Sequence, residues 1–131
     1  MAIVGSGPDV VYPKSSDAIR KRIIQNGIII SEFPFGTPVN QIRLMKRNKT
    51  IVGCSNWLLV VETGRTGGTL NSVRAAREQR KRIFVAVPDN ERLESVQGNL
   101  DLIRSIVPVK GPSQVLRELR EGEKYEQDTL F

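Results

Sequence analysis

Short apolar runs alternate with amphipathic stretches along the whole chain. Five runs are rich in β-branched and other apolar residues, and they begin near Ala2, Ile28, Trp57, Ile83 and Ile106. Between most of them, apolar residues recur every three or four positions, which is the spacing of one face of a helix. Strands that alternate with helices form mainly parallel sheets covered by helices. The pattern therefore predicts an α/β fold with a mainly parallel sheet of about five strands.

Two of these runs predict well-covered strands. Ile28–Ile30 is a continuous β-branched run, which is typical of a strand covered on both faces. The run from Trp57 to Val61 is the most hydrophobic strand. We therefore expect Trp57 to pack in the core rather than to serve as a stacking surface. We expect Cys54 to be a small buried hydrophobe.

The chain is predicted to divide into a folded domain and a tail. The last helix is expected to end at Glu121, so residues 1–121 form one domain and residues 122–131 an acidic flexible tail. Residues 1–117 hold 18 basic and 9 acidic side chains, whereas residues 118–131 hold 2 basic and 5 acidic ones. The basic body is expected to attract polyanions in a salt-dependent way, the alternative being a solvated basic surface.

The residue types present exclude several kinds of chemistry. The chain has no histidine and a single cysteine, so an intrachain disulfide, a histidine-based triad and the usual transition-metal sites are excluded. No apolar run reaches the length of about 18 residues that a transmembrane helix needs, and the first residues lack the pattern of a signal peptide. We therefore expect a cytoplasmic protein that uses no metal and no cofactor.

A glycine-rich turn follows the third apolar run and opens the next predicted helix. Ligand sites of parallel α/β sheets lie beyond the carboxyl ends of the strands, where such a turn offers unpaired backbone N–H groups. The turn contains Gly67, Gly68 and Thr69, and Arg65 precedes it. These residues predict a phosphate-binding crevice for a nucleotide or for a nucleic-acid backbone. The alternative is a tight turn whose glycines serve only its geometry.

Polar residues at the end of the preceding helix are further candidates for this crevice. Arg47 can fork onto phosphate oxygens, and Asn48 can fix a loop or a base edge. Lys49 adds a positive charge, and Ser55 can either donate its hydroxyl to phosphate or merely end its helix. The alternative for Arg47, Asn48 and Lys49 is a solvent-facing basic turn.

Seven short blocks follow one another along residues 2–103. They are Gly5-Ser6-Gly7-x-Asp9-x-x-Tyr12-Pro13, Ser31-Glu32-x-Pro34-x-Gly36, Arg47-Asn48-x-x-x-x-Gly53-x-Ser55, Val60-Val61-Glu62, Gly68-Thr69-Leu70, Phe84-Val85-Ala86-Val87-Pro88 and Gly98-Asn99-x-x-Leu102-Ile103. In this order they resemble the DNA-processing protein A family (DprA, also called Smf). The resemblance implies a Rossmann-like domain, with helices on both faces of its sheet, that binds single-stranded DNA, dimerises and helps to load the recombinase RecA. It also places Lys14 near the crevice.

The sequence departs from the family at its beginning and near the predicted crevice. The family's Gly-Ser-Arg turn and Ser-Gly-Leu-Ala segment are absent, so we expect either a rebuilt sheet or strands borrowed from a partner. Leu44-Met45 replaces Phe-Pro, and Lys49 stands where the family usually has arginine. Because an exposed sheet edge is a liability, we expect a homo-oligomer.

Glu62 is the residue that an enzyme would need. Phosphoribohydrolases of the wider superfamily carry a Gly-Gly-x-Gly-Thr turn followed by glutamate, and that glutamate is missing here. Glu62 would act nearly alone, without an acid–base partner, so we expect a non-enzymatic module in which Glu62 pairs with Arg47 or Lys49 or caps a backbone N–H. The alternative is a nucleotide-binding sensor or an enzyme that handles nucleoside monophosphates.

The end of the sequence resembles the bacterial sliding-clamp-binding peptide. Gln127 is followed by a closing pair, Leu130 and Phe131. A disordered segment has no folded-state reason to keep two large apolar residues. The resemblance implies docking in a hydrophobic pocket of the clamp, and the alternative is a tail that folds back on its own domain or on a neighbour.

Overall fold

Strands and helices alternate along the chain, as their spacing predicts. The computed structural model describes the backbone of residues 1–128 and the side chains of residues 1–121. Its strands and α-helices are, in order, β1 (Ala2–Val4), α1 (Asp17–Asn26), β2 (Ile29–Ser31), α2 (Gln41–Gly53), β3 (Trp57–Val60), α3 (Gly68–Glu78), β4 (Arg82–Ala86), α4 (Gln97–Ile103), β5 (Val107–Val109) and α5 (Pro112–Asp128). Single 3₁₀ turns precede α1 and α4.

The five strands form two parallel sheets rather than one. β1 pairs with β2, with Ile3 opposite Ile30. The other sheet has the order β3-β4-β5, with Phe84 between Leu59 and Val107. Every pairing is parallel, so the predicted α/β fold and its strand count are confirmed, while the single sheet is not. Within residues 1–128, β1, β2, β3 and β5 each keep one edge without a strand partner.

α2 joins the two sheets. Near the start of α2, Leu44 packs against Gly5, which follows β1. A Cβ added to Gly5 would come within 3.0 Å of the Leu44 side chain. Near its end, Val52 packs against Ala75 and Ala76 of α3. A helix therefore makes the connection between β1 and the β3-β4-β5 sheet.

The fully buried apolar residues surround β3, β4 and β5. Nine of them form three clusters, which are Val52 with Ala75 and Ala76, Val60 with Val73 and Val85, and Phe84 with Val109 and Val115. No residue within α1 is fully buried, and β1 and β2 are only half-buried. Ile28 is 57% exposed. The expectation of a strand covered on both faces is therefore wrong for Ile28–Ile30, because β2 is the edge of a two-stranded sheet.

Two residues that we expected in the core lie nearer the surface. Trp57 meets Phe84 edge to face, with 6.1 Å between the ring centroids, but it remains 37% exposed because β3 is an edge strand. Cys54 is exposed in the turn after α2. The predictions of a core tryptophan and a buried thiol are therefore wrong, because Trp57 lies on an edge strand and Cys54 in a surface turn.

The last helix continues beyond its predicted end. α5 reaches Asp128, because residues 122–128 are mostly glutamate, lysine and glutamine, which favour helices. The structure thus has helix where the sequence analysis expects a flexible segment. Leu130 and Phe131 lie outside the described residues, as does the side chain of Gln127. Among the described helices, none combines the length and the apolar character required to cross a bilayer.

Candidate nucleic-acid interface

The loops that follow β1 and β2 are locked together. The Ser31 hydroxyl donates to the Ser6 carbonyl oxygen at 2.6 Å, and the Gly36 N–H donates to the Asp9 carboxylate at 2.8 Å. Gly7 lies between these loops with no room for a side chain, since a Cβ would come within 2.6 Å of a carbonyl oxygen of the second loop. These contacts fix the backbone at the carboxyl end of the β1-β2 sheet, next to the start of α2.

A cleft of about 500 Å³ lies between the first half of α2 and the start of α3. It is lined by Gln41, Leu44, Met45, Asn48, Gly67, Gly68, Leu70, Asn71 and Arg74. Leu44 also contacts Gly5 at the carboxyl end of β1, and the two glycines follow the carboxyl end of β3. The carboxyl ends of both sheets therefore point toward one cleft, which is the usual position of ligands in parallel α/β folds. We call it the α2–α3 cleft.

The glycine turn presents main-chain donors to this cleft. Gly67 has a φ of 129°, a conformation that side chains disfavour, and it precedes α3 without a capping side chain. A Cβ on Gly67 or Gly68 would meet nothing within 4 Å, so the space in front of the turn is open. The N–H groups of a first helical turn carry partial positive charge, and the turn is therefore suited to an anion. Thr69 is half-buried in the same turn but does not line the cleft.

Arg74 supplies a positive charge in the cleft, although it was not among the predicted site residues. It is exposed on α3 and shares the cleft with Asn71. Residues at positions i, i+4 and i+7 of a helix share one face, and Gly67, Asn71 and Arg74 have this spacing. The signal was therefore present in the sequence. Gln41, at the start of α2, is a further lining residue that we did not predict.

Asn48 and Arg47 were both predicted for the site, but only Asn48 lines the cleft. Asn48 is half-buried and lines the cleft with Gly67 and Gly68. Arg47 does not line it, but its Nε donates to Asn48 Oδ1 at 3.2 Å. Arg47 therefore reaches the cleft through Asn48 and can orient that amide.

Two other predicted residues lie at the far end of α2. Lys49 Nζ lies 3.1 Å from a carboxylate oxygen of Glu78, near the end of α3. The Ser55 hydroxyl donates to the Val52 carbonyl oxygen at 2.8 Å, just before β3 begins. Ser55 is therefore at the amino end of the strand, and its observed contact is the helix-ending one. Neither residue lines the α2–α3 cleft.

The remaining predicted cations also lie outside the cleft lining. Arg65 Nε is 3.1 Å from a carboxylate oxygen of Asp101 on α4, and both side chains are largely exposed. Lys14 is exposed in the 3₁₀ turn between β1 and α1. Arg65 precedes the glycine turn in the chain. If its pairing with Asp101 were broken, the Arg65 side chain would be free to turn toward an anion at the glycine turn.

Glu62 is exposed at the end of β3 and takes no part in an ion pair within the described residues. The expected pairing with Lys49 is wrong, because Lys49 pairs with Glu78 across α2 and α3. The other expected partner, Arg47, bonds to Asn48 instead. No group of three possible metal-binding side chains occurs in the part of the chain that the structure describes.

Asn99 holds the loop that leads to the glycine turn. Its side chain is fully buried, and Oδ1 accepts the Thr63 N–H at 2.7 Å. Nδ2 donates to the carbonyl oxygens of Val61 and Ala86, both at 2.9 Å. One amide thus satisfies backbone groups that follow β3 and end β4. It fixes the carboxyl ends of two neighbouring strands beside the cleft.

Comparison with known proteins identifies the family. The family model for DNA recombination-mediator protein A matches residues 1–119. The chain belongs to this family. The match confirms the resemblance to DprA and Smf proteins on which the sequence analysis relied. Members of the DNA recombination-mediator protein A family therefore provide the appropriate comparisons for the fold.

Individual relatives agree with this assignment. Protein Smf from Escherichia coli strain K12 is 30% identical over 124 residues, covering 93% of this chain and 33% of Smf. The X-ray structure of DprA from Streptococcus pneumoniae has a TM-score of 0.79 at 26% identity, covering 88% of this chain and 42% of that one. DNA processing protein A from Helicobacter pylori has a TM-score of 0.77 at 22% identity, covering 92% and 55%. These likenesses confirm the α/β fold. The chain spans between 22% and 33% of the length of the curated Smf and DprA relatives that it matches.

Blocks that resemble DprA meet at the α2–α3 cleft. Asn48 comes from one block and Gly68 from another, and both line it. Leu44 and Met45 form part of the same lining. The cleft therefore combines polar groups from two of these blocks with the aliphatic side chains of Leu44 and Met45.

Proposed function

We propose that this chain binds single-stranded DNA in the α2–α3 cleft and acts in DNA processing or recombination. The observation that carries the proposal is the convergence of an uncapped glycine turn, Arg74 and Asn48 on one open cleft. Family membership supports it, and the related Helicobacter pylori protein is described as binding single-stranded DNA.

The lining suggests separate roles for charge and for amides. Phosphate oxygens would accept hydrogen bonds from the backbone N–H groups that follow Gly67 and from the guanidinium of Arg74. The amides of Gln41, Asn48 and Asn71 could hydrogen-bond to base edges, whereas phosphate contacts alone carry no sequence information. We expect the phosphate contacts to supply most of the affinity, which makes binding strongly salt-dependent.

The cleft favours an unpaired strand over a duplex. Leu44 and Met45 form an apolar floor, and Met45 is 39% exposed. An apolar surface of this kind can cover the face of an unstacked base, which a duplex keeps buried within its own stack. A mononucleotide would bind through a single phosphate group. A strand carries many phosphates, which could also contact other basic side chains of residues 1–117.

A binding titration tests the proposal. Fluorescence anisotropy would compare a labelled single-stranded oligonucleotide, the corresponding duplex and a labelled nucleoside monophosphate at two salt concentrations. We expect the single strand to bind most tightly and to lose affinity with salt. Equal affinity for duplex, or binding of the mononucleotide alone, would contradict the proposal, and the second result would favour a nucleotide sensor.

We propose that this function involves no catalysis. The described residues that line the cleft include no carboxylate, and Glu62 lies outside that lining. Incubation with nucleoside monophosphates should therefore release neither free base nor ribose phosphate above the rate of a buffer blank. Product formation that depends on Glu62 would support the enzyme instead.

Further partners belong to the same proposal. We propose a homo-oligomer, because the unpaired edges of β1 and β3 need cover, and light scattering that gives a monomer mass would contradict it. The resemblance supports RecA as a partner and a cytoplasmic site of action. It also supports the sliding clamp as a partner of Gln127, Leu130 and Phe131. Deletion of residues 127–131 should abolish co-sedimentation with a clamp, and retained binding would exclude the tail.

A further inference from the structure

Basic side chains continue from the α2–α3 cleft to the far end of α3. Arg74 lines the cleft, and Arg77 follows three positions later on the same helix. Residues with this spacing are neighbours on a helix surface, so the two arginines form one row. The turn that leads from α3 into β4 then adds Arg80, Lys81 and Arg82. We call these last three residues the basic turn.

Little negative charge offsets this row of cations. Residues 74–82 contain five basic side chains and one acidic side chain, that of Glu78. The Glu78 carboxylate lies 3.1 Å from Lys49 Nζ, so an ion pair already engages it. The surface from the cleft to the basic turn therefore keeps a net positive charge, which attracts a polyanion.

The members of the basic turn differ in what their side chains contact. Lys81 Nζ donates to the Gly53 carbonyl oxygen at 3.4 Å, at the end of α2. The Arg82 guanidinium donates to the Glu118 carbonyl oxygen of α5 at 2.6 Å. Both side chains therefore hold a neighbouring helix. Arg80 is exposed, and its guanidinium has no hydrogen-bond or ion-pair partner within residues 1–121.

Arg80 also has a backbone conformation that favours glycine. Its φ is 54°, and no other non-glycine residue has a positive φ in the part of the chain that the structure describes. The Lys81 N–H donates to the Ala76 carbonyl oxygen at 2.8 Å, which is how a helix ends at a left-handed residue, and glycine is usual there. An arginine costs stability at such a position, and side chains kept in disfavoured conformations commonly serve a function. An exposed guanidinium without a partner is suited to phosphate oxygens.

We propose that a single strand anchored in the α2–α3 cleft continues along α3 and places a phosphate on Arg80. This contact rests on the proposed binding of single-stranded DNA in that cleft. From Gly68 to Glu78, two residues before Arg80, α3 rises about 15 Å at about 1.5 Å per residue. A stacked strand advances about 3.4 Å per nucleotide, so phosphates at the glycine turn and on Arg80 are about five nucleotides apart. Arg77 lies between them. It donates one N–H to the Ser105 hydroxyl at 2.8 Å and keeps further donors for the strand.

Strand length separates the two contact regions. Fluorescence anisotropy at low and at moderate salt compares labelled thymidine oligonucleotides of three and of twelve nucleotides, because only the longer one reaches from the cleft to Arg80. The variant is Arg80→Gly, which removes the charge and suits the backbone conformation. It should bind the longer strand about threefold to fivefold more weakly, as expected for one exposed charge contact, and the shorter strand as tightly as the unmodified chain does. For the longer strand, the negative slope of log affinity against log salt should become shallower by about 0.7.

Two further variants serve as controls. Arg80→Lys keeps the charge and should retain the affinity for the longer strand within about twofold. Arg22→Ala removes an exposed arginine from α1 and should change that affinity by less than about twofold. In urea denaturation, the midpoint of Arg80→Gly should equal or exceed that of the unmodified chain, because glycine accepts a φ of 54° without a steric cost.

The possible results distinguish the contact with Arg80 from binding in the cleft. If the unmodified chain binds neither oligonucleotide, the proposed function itself fails. If it binds both, and Arg80→Gly either changes nothing for the longer strand or weakens both strands equally, the contact with Arg80 is excluded while the proposed function stands. A lower urea midpoint together with weaker binding would assign Arg80 a structural role and would also overturn the contact.

Discussion

The buried amide of Asn99 allows a quantitative test of how the ends of β3 and β4 are held. Asn99→Leu approximately keeps the side-chain volume but removes one acceptor and two donors. The Thr63 N–H and the carbonyl oxygens of Val61 and Ala86 then lose their partner, at a residue that is 0% exposed. The substitution should therefore destabilise the fold without creating a large cavity.

The expected size follows from these contacts. A typical intramolecular hydrogen bond contributes about 1 kcal/mol, so the loss should be about 3 kcal/mol or more, because the freed backbone groups are desolvated. Urea denaturation followed by circular dichroism measures it, and the m-value should stay constant if the transition remains two-state. Asn56→Leu, at an exposed position before β3, is the control and should change the free energy of unfolding by less than about 0.5 kcal/mol. A loss of under about 1 kcal/mol for Asn99→Leu would refute this account of the strand ends.

Other predictions concern residues in and around the α2–α3 cleft. Affinity for single-stranded DNA is measured by anisotropy, and stability by urea denaturation. Asp101→Asn frees Arg65 from its 3.1 Å pairing, so affinity should rise by up to about fivefold, as expected for loss of an exposed competing pair, and a fall would contradict this. Gly67→Ala puts a side chain at a φ of 129°, so it should lower stability by about 1 kcal/mol or more and weaken binding; unchanged values would show that the turn does not require glycine. Lys49→Ala and Ser55→Ala should change affinity by less than about threefold, because both lie away from the cleft, and a larger fall would return them to the site.

The local sequence pattern was sufficient to predict the helices and strands, but not which strands pair with one another. Helices lie between most of the apolar runs, and these runs lie within or beside the observed strands. Whether a strand is covered depends on pairing with residues distant in sequence, which periodicity does not report. For this reason Ile28–Ile30 looked like a central strand and is an edge strand, and Trp57 looked like core and lines a groove.

The candidate site was only partly predictable for a related reason. Gly67, Gly68 and Asn48 were selected from sequence and lie together. α2 then carries the chain away from the cleft by about 1.5 Å per residue, so Ser55 reaches the opposite end of the sheet although it belongs to the same block as Asn48. Arg74 was not among the predicted site residues, although its helical spacing from Gly67 places both on one face.

The central claim is that the α2–α3 cleft binds single-stranded DNA. The most direct test compares Arg74→Ala with Arg104→Ala, which removes the same charge from an exposed position after α4. Loss of a hydrogen-bonded charge contact is worth about 1.5–3 kcal/mol, so Arg74→Ala should weaken binding by about tenfold or more. It should also make the negative slope of log affinity against log salt shallower by about 0.7. Arg104→Ala should change the affinity and the slope little. Equal affinities and equal salt slopes for the two variants would contradict the claim.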